Sequence, residues 1–244
     1  MLKAGGRIEG RTLTDADWTE AELPDAAFVG CVIVDAAFAA TVLEGARFER
    51  CRLIRCRFQH ADLREVTFED CQFADPARQA GPRFAFTRLE GAKLARCDLT
   101  HARFEGCELY DVRFEACNLT GAGFSRSSFG RVFGRKVERI AAALIDCNLE
   151  LADLAGARLP GASLARSRLR ETDLTGADLE GADLAGADLF QAIVDEAKLA
   201  GADLRGAEVS GLDLRRLATY QDLKITADQQ FRLLDAMGID VQPE

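Results

Sequence analysis

The chain has 244 residues, with 31 basic against 40 acidic side chains and a net charge of −9. So acidic a surface repels the phosphate backbone and argues against a general nucleic-acid binder. No apolar run approaches the roughly 18 residues of a membrane span, and residues 1–10 are too polar for a secretory leader, so the expected address is the cytoplasm.

Taken in chain order, large apolar residues recur at every fifth position. The first run goes from Leu13 and Trp18 to Phe68 and Phe73, the second from Leu89 to Phe129, and the third from Leu144 to Leu214. Together they make 37 units covering 185 residues. The unit is plainest at Ala177-Asp178-Leu179-Glu180-Gly181, repeated as Ala182-Asp183-Leu184-Ala185-Gly186. A period of five is neither the 3.6 of an amphipathic helix nor the 2 of a half-buried strand.

Self-similarity at a short fixed period signals stacked repeats. If five residues make one wall, four walls close a 20-residue coil. The large residue (the centre) and the small one two positions before it then point inward. Coils stacked about 4.8 Å apart would pair as parallel strands do. The predicted fold is all-β: a quadrilateral parallel β-helix of five-residue units, right-handed as in the pentapeptide-repeat solenoids it resembles. It carries two excursion loops and a short C-terminal helix. Stacking predicts a column of Phe28, Phe48 and Phe68 opposite one of Phe38 and Phe58. Leu23, Leu43 and Leu63, with Ile33 and Leu53, fill the walls between. Nearly uniform leucine centres predict a more regular third run.

The eight cysteines, at 31, 51, 56, 71, 97, 107, 117 and 147, all fall two before a centre. A buried thiol packs as a small hydrophobe, and free thiols are expected in a reducing compartment. No Cys-Xaa-Xaa-Cys pair suggests a metal site. His60 and His101 fall two after a centre and point outward. Asp153, Asp173 and Asp213 share a side broken by Ile193; repeat-imposed solvation explains them better than acid–base chemistry. Catalytic residues, metals and cofactors are therefore expected to be none, and the protein is not expected to be an enzyme.

Two stretches leave the pattern. The step from Phe73 to Leu89 is 16, and residues 74–86 read as an excursion with Pro76 and Pro82. The step from Phe129 to Leu144 is 15. Its in-phase centres would be Gly134 and Arg139, which cannot fill a core, so 130–141 leaves the wall too. The charge splits with the pattern: −4 over 1–73, +4 over 74–143, −7 over 144–215 and −2 over 216–244. The domain reading is a solenoid over 1–215 and a helical cap or dimerisation segment over 216–244. In the latter, Thr226 caps a helix over 227–237, Phe231, Leu234 and Met237 form its apolar face, and Ile239 with Val241 make a short strand. An open solenoid end needs a cover.

The repeated Ala-Asp-Leu unit resembles the pentapeptide-repeat proteins, and the details resemble their Qnr-type members, which protect bacterial type II topoisomerases from fluoroquinolones. The resemblance rests on the loop leaving after Cys71-Gln72-Phe73, and on the second break between Phe129 and Leu149. The ending Gln230-Phe231-Arg232-Leu233-Leu234-Asp235-Ala236-Met237-Gly238 completes it. It implies a homodimer, joined through the C-terminal segment, that engages DNA gyrase or topoisomerase IV with no direct nucleic-acid or membrane contact. The implied partner-binding loop residues are Asp75, Arg78, Gln79, Arg83, Arg131, Phe133, Arg135 and Lys136. An acidic rod surface of Asp153, Asp173, Asp178, Asp183, Asp188 and Asp203 would act as a DNA mimic near the enzyme's DNA-binding saddle. The alternative is an interaction scaffold for a different partner.

Overall fold

A computed structural model describes residues 3–75, 77–133 and 137–240. The backbone winds into a four-walled rod of stacked coils. The first wall is the best developed. It is a seven-stranded parallel sheet of Arg7–Glu9, Ala27–Val29, Arg47–Glu49, Thr67–Glu69, Lys93–Ala95, Val112–Glu115 and Ala142–Ile145. The second wall holds Thr12–Thr14, Val32–Val34 and Arg52–Ile54; the third holds Arg57–Gln59, Arg83–Ala85 and Arg103–Glu105. Along the third run the walls are joined by single parallel bridges such as Asp153↔Asp173 and Ser163↔Asp183, with a two-residue turn at each corner. That uniformity follows from the nearly invariant Leu centres.

The centres fill the lumen: Phe28, Phe48, Phe58, Leu109 and Leu179 have no solvent exposure. The corners set this geometry. The residue two after the centre adopts a left-handed backbone, whether it is Asp25 (φ 57), Arg55 (φ 56) or His60 (φ 54). Such a conformation costs roughly 1–2 kcal/mol for a residue with a Cβ. Apolar burial of the adjoining centre, about 1.5–3 kcal/mol per large side chain, offsets it.

The aromatic columns form as the spacing predicts. Phe28 and Phe48 stack at 4.5 Å between centroids, and Phe38 and Phe58 at 4.8 Å. The second column is longer than the five-residue count suggests. It runs from Trp18 through Phe38, Phe58, Phe84 and Phe104 to Phe124. Phe84 therefore sits in the core rather than in the loop expected over 74–86.

Register locates both insertions. Stacked partners are 20 residues apart along most of the rod, as in Phe28↔Phe48. The step becomes 26 at Phe68↔Leu94 and 30 at Phe114↔Leu144. The insertions are thus six and ten residues beyond one coil. At the far end the step slips to 21 (Lys198↔Thr219, Asp203↔Lys224), so parallel bridging reaches past the boundary expected at residue 215.

All eight cysteines are free and buried. Six of them, Cys31, Cys51, Cys71, Cys97, Cys117 and Cys147, stand in one column beside the second wall. Packing alone does not account for them. The Cys51 and Cys71 thiols donate to the carbonyls of Phe28 and Phe48 at 3.3 Å. The Thr87 and Ser167 hydroxyls play the same part, donating to the Phe58 and Leu144 carbonyls at 2.6 Å. Where the small inward residue carries a donor, the donor is turned to a carbonyl one coil below. Burial also pushes the Cys56 thiol up to about 12 and that of Cys107 up to about 11, so neither is a thiolate at pH 8. A disulfide-exchange reagent at pH 8 should find no reactive thiol in the native protein and all eight after denaturation. Serine should be tolerated at each site, whereas alanine should cost about 0.5–1.5 kcal/mol. A fast-reacting thiol in the folded protein would contradict this account.

Candidate functional site

The repeat specifies only the rod, so recognition falls to its departures and its surface. The first insertion leaves between the second and third walls and spans Asp75 to Gly81. It is tied at both ends. Asp75 and Ala80 form an antiparallel bridge, with the Asp75 amide donating to the Ala80 carbonyl at 2.8 Å. Asp75 is only 5% exposed. It accepts from the Ala77 amide at 3.1 Å and from Arg55 at 3.0 Å, while Arg55 also grips Asp35 one coil below. The Arg55 guanidinium, followed by the Ala77 amide, holds the Asp75 carboxyl below the usual carboxylate range. Its folded value being depressed, the tether contributes fully above the ordinary carboxylate pKa and is lost as pH falls through the lowered one.

Asp75 is therefore an anchor, not a side chain offered to a partner. At the other end Gly81 lies against the next coil. A Cβ there would stand 2.3 Å from the carbonyl carbon of His101 and 2.3 Å from the carbonyl oxygen of Thr100. Between these fixed ends Arg78 and Gln79 are exposed. Ala74, Asp75, Gln79, Ala80, Asp98, Thr100 and His101 line an open cleft of about 380 Å³ beside the loop.

The second insertion leaves between the fourth and first walls, at the corner diagonally opposite the first. It is an antiparallel hairpin of Gly130–Phe133 and Val137–Ile140, with Arg131 facing Arg139. Arg131 and Val132 are exposed, Val132 at 65%. Arg135 and Lys136 lie outside the described residues. Glu90 sits near the base of this hairpin, beside Glu108, Tyr110 and Arg131. Its Oε2 is buried with no hydrogen-bond partner among the described residues. Burial and then the Glu108 charge raise its pKa.

The six aspartates of the acidic rod surface do not form one face. Asp153 and Asp173 stand on the third wall, Asp178 on the fourth, Asp183 and Asp203 on the first and Asp188 on the second. Each also has a local role. Asp153 accepts from the Ala155 amide at 3.1 Å and Asp173 from that of Thr175 at 2.9 Å; Asp178, Asp183, Asp188 and Asp203 repeat the arrangement. This side-chain turn explains why the repeat favours Asp before its centre.

The C-terminal segment closes the rod. Thr226 and Gln229 make a capping box ahead of the helix α1 (Gln230–Ala236). Gln229, 1% exposed, donates its amide to the Leu204 and Ala207 carbonyls, both at 2.7 Å. Leu233 is the helix residue buried on the core, whereas Phe231 is 52% exposed and Leu234 and Met237 are half-buried. The expected strand at Ile239 does not form. Gly238 (φ 76) turns the chain so that the Ile239 amide donates to the Leu234 carbonyl at 2.9 Å. Val241 lies outside the described residues.

Arg83 belongs not to a loop but to the third wall, in register with Arg57 below and Arg103 above. Residue spacing alone hid this row, because the six-residue insertion displaces Arg83 from the count of 20. Among the described residues no helix is long and apolar enough to cross a membrane.

A four-walled rod of five-residue units is the architecture of one family, and the chain belongs to it. A pentapeptide-repeat profile matches residues 83–121, 147–184 and 182–216, and a second profile, for a pentapeptide repeat region, matches 9–76. Among solved structures the chain resembles QnrB1, a plasmid-mediated fluoroquinolone resistance protein. Two trypsin-treated forms give TM-scores of 0.70 at 23% identity, over 100% of both chains, and 0.74 at 22%, over 98% of this chain and 100% of the other. The full-length form gives 0.63 at 21%, over 96% and 100%. No curated protein sequence matches the chain.

Proposed function

We propose that this chain is a non-enzymatic binding protein that engages bacterial type II topoisomerase, DNA gyrase or topoisomerase IV, and protects it from quinolone-type poisons. The observation that carries the reading is the pair of insertions, six and ten residues long, the first tied at its root by Arg55 and Asp75, on an otherwise unbroken rod of Qnr-like fold. An excursion with a salt-bridged root and an exposed tip is built for presentation. The reading includes a cytoplasmic homodimer joined through the C-terminal segment, where Phe231 is left uncovered by its own chain. Arg78, Gln79 and Arg131 would meet the enzyme, and the acidic third run would lie near its DNA-binding surface.

Register supplies clean variants. Deleting 76–81 leaves Phe84 five positions after Phe73, and deleting 132–141 leaves Leu144 five after Phe129; both restore the repeat. Purified protein should rescue gyrase supercoiling in the presence of a fluoroquinolone. Each deletion should keep the β-rich circular dichroism spectrum yet abolish rescue. Absence of rescue by the intact protein at every dose would point to the other reading, a scaffold for a different partner, to be sought by pull-down from a bacterial lysate.

A further inference from the structure

Arginines on this rod are as a rule paired with carboxylates. Arg64 binds Asp62 and Glu44, Arg166 binds Asp146, Arg170 binds Asp188 and Arg205 binds Asp203. Arg47 and Arg52, on the first and second walls, depart from the rule singly; the third wall departs from it on successive coils. Arg57, Arg83 and Arg103 stand in register on three successive coils. Nowhere else among the described residues do three stacked positions carry one sign of charge. Arg57 makes no ion pair among those residues. Arg103 donates to the Gly121 carbonyl at 2.8 Å, and Arg83, 72% exposed, reaches Glu105 only at 3.9 Å. Like charges directly opposed across strands destabilise a sheet, so this row weakens the wall it stands on.

A second row runs beside it at the corner. His60 stacks on Phe86 at 5.3 Å, and the Arg126 guanidinium lies 5.9 Å from the Phe86 ring centre. Phe86 is 46% exposed. Its ring lies over Gly106, where an added Cβ would come within 2.8 Å of it. The wall thus offers a cationic row and the exposed edge of an aromatic ring, with Glu105, paired to Arg126, between them.

We propose that this wall is a docking surface for a short acidic segment of a partner protein, its carboxylates on Arg57, Arg83 and Arg103 and an apolar side chain on Phe86. Guanidinium–carboxylate pairs give both attraction and geometry. The row is roughly 10 Å long at 4.8 Å per coil, which suits about three residues of extended chain rather than a long polyanion. Glu105 within the patch and Asp153 two coils above Arg103 on the same wall oppose a continuous phosphate backbone. The inference stands apart from the topoisomerase reading and survives its failure.

The test uses the full chain and a short fluorescein-labelled peptide of glutamates around one phenylalanine, followed by anisotropy at low salt. Wild type should bind, and R57Q/R83Q/R103Q should bind about tenfold more weakly, as expected for the loss of several exposed ion pairs. R166Q/R170Q/R205Q removes equal charge elsewhere and should bind like wild type. The ladder variant should melt no lower than wild type, because repulsion is relieved. No binding by wild type, equal binding by the ladder variant, or equal loss in the control would overturn the proposal. So would a lower melting point for the ladder variant, or tighter binding of a single-stranded DNA oligonucleotide of matched length.

Discussion

Phe84→Ala should destabilise the protein by about 3–5 kcal/mol, the range for removing a fully buried phenylalanine. Phe84 has no solvent exposure and stacks at 4.9 Å on both Phe58 and Phe104, with Phe73 edge-on at 6.1 Å. It is also the first centre after the six-residue insertion, so it re-joins the chain to the column. Because each coil of a solenoid touches only its neighbours, the damage should be local. Denaturant unfolding of the variant should become broader or biphasic, with the coils below Phe58 and above Phe104 no longer melting together. Phe28→Ala removes the same ring from the other column, two coils below the insertion, and serves as the comparison. A loss below about 1 kcal/mol, the size of an ordinary point mutation, would mean that Phe84 does not carry the join.

Gly81→Ala is the second substitution with a large expected effect, and it separates space from conformation. The new methyl would meet the carbonyl groups of Thr100 and His101 at 2.3 Å and the Ala102 amide nitrogen at 2.5 Å. All three are backbone and cannot rotate away, so either the loop exit or the next coil must move. Overpacking of this kind costs about 1–3 kcal/mol and occasionally more. The Arg103 amide, which donates to the Pro82 carbonyl at 2.9 Å, should lose hydrogen-exchange protection. Gly156→Ala is the control: its φ is +66 but nothing lies within 4 Å, so it reports only the left-handed penalty. If Gly81→Ala costs no more than that control and leaves Arg103 protected, the close approach is not what seats the loop.

Most of the rod was legible because its physics is strictly periodic. A residue at every fifth position either fills the lumen or does not, and Phe28, Phe48 and Phe68 needed only counting. What resisted counting was anything off the period. The step of 16 from Phe73 to Leu89 conceals a six-residue insertion followed by two ordinary units, so Phe84 and Arg83 read as loop although both belong to the third wall. Asp75 looks like any repeat aspartate. Its burial arises from Arg55, a coil away in space and 20 residues away in sequence. At the C-terminus the helix and its cap follow local rules and were readable from Thr226 and Gly238. Which face docks depends on how the helix axis crosses the rod end, and that selects Leu233 and the Gln229 amide over Phe231. The cysteines were placed by period, yet their hydrogen bonds to carbonyls one coil below became visible only with the backbone in place.

The diagonal placement of the two excursions limits how anything can hold this protein. A flat body laid along the rod touches one corner or the other, never both. Simultaneous engagement demands a jaw that closes around the shaft, or two separate bodies gripping from opposite flanks. In the first case shortening either excursion weakens a single clasp. In the second the two losses are independent, and partial truncations of each excursion, combined in one variant, distinguish clasp from twin grip by whether their effects on affinity multiply.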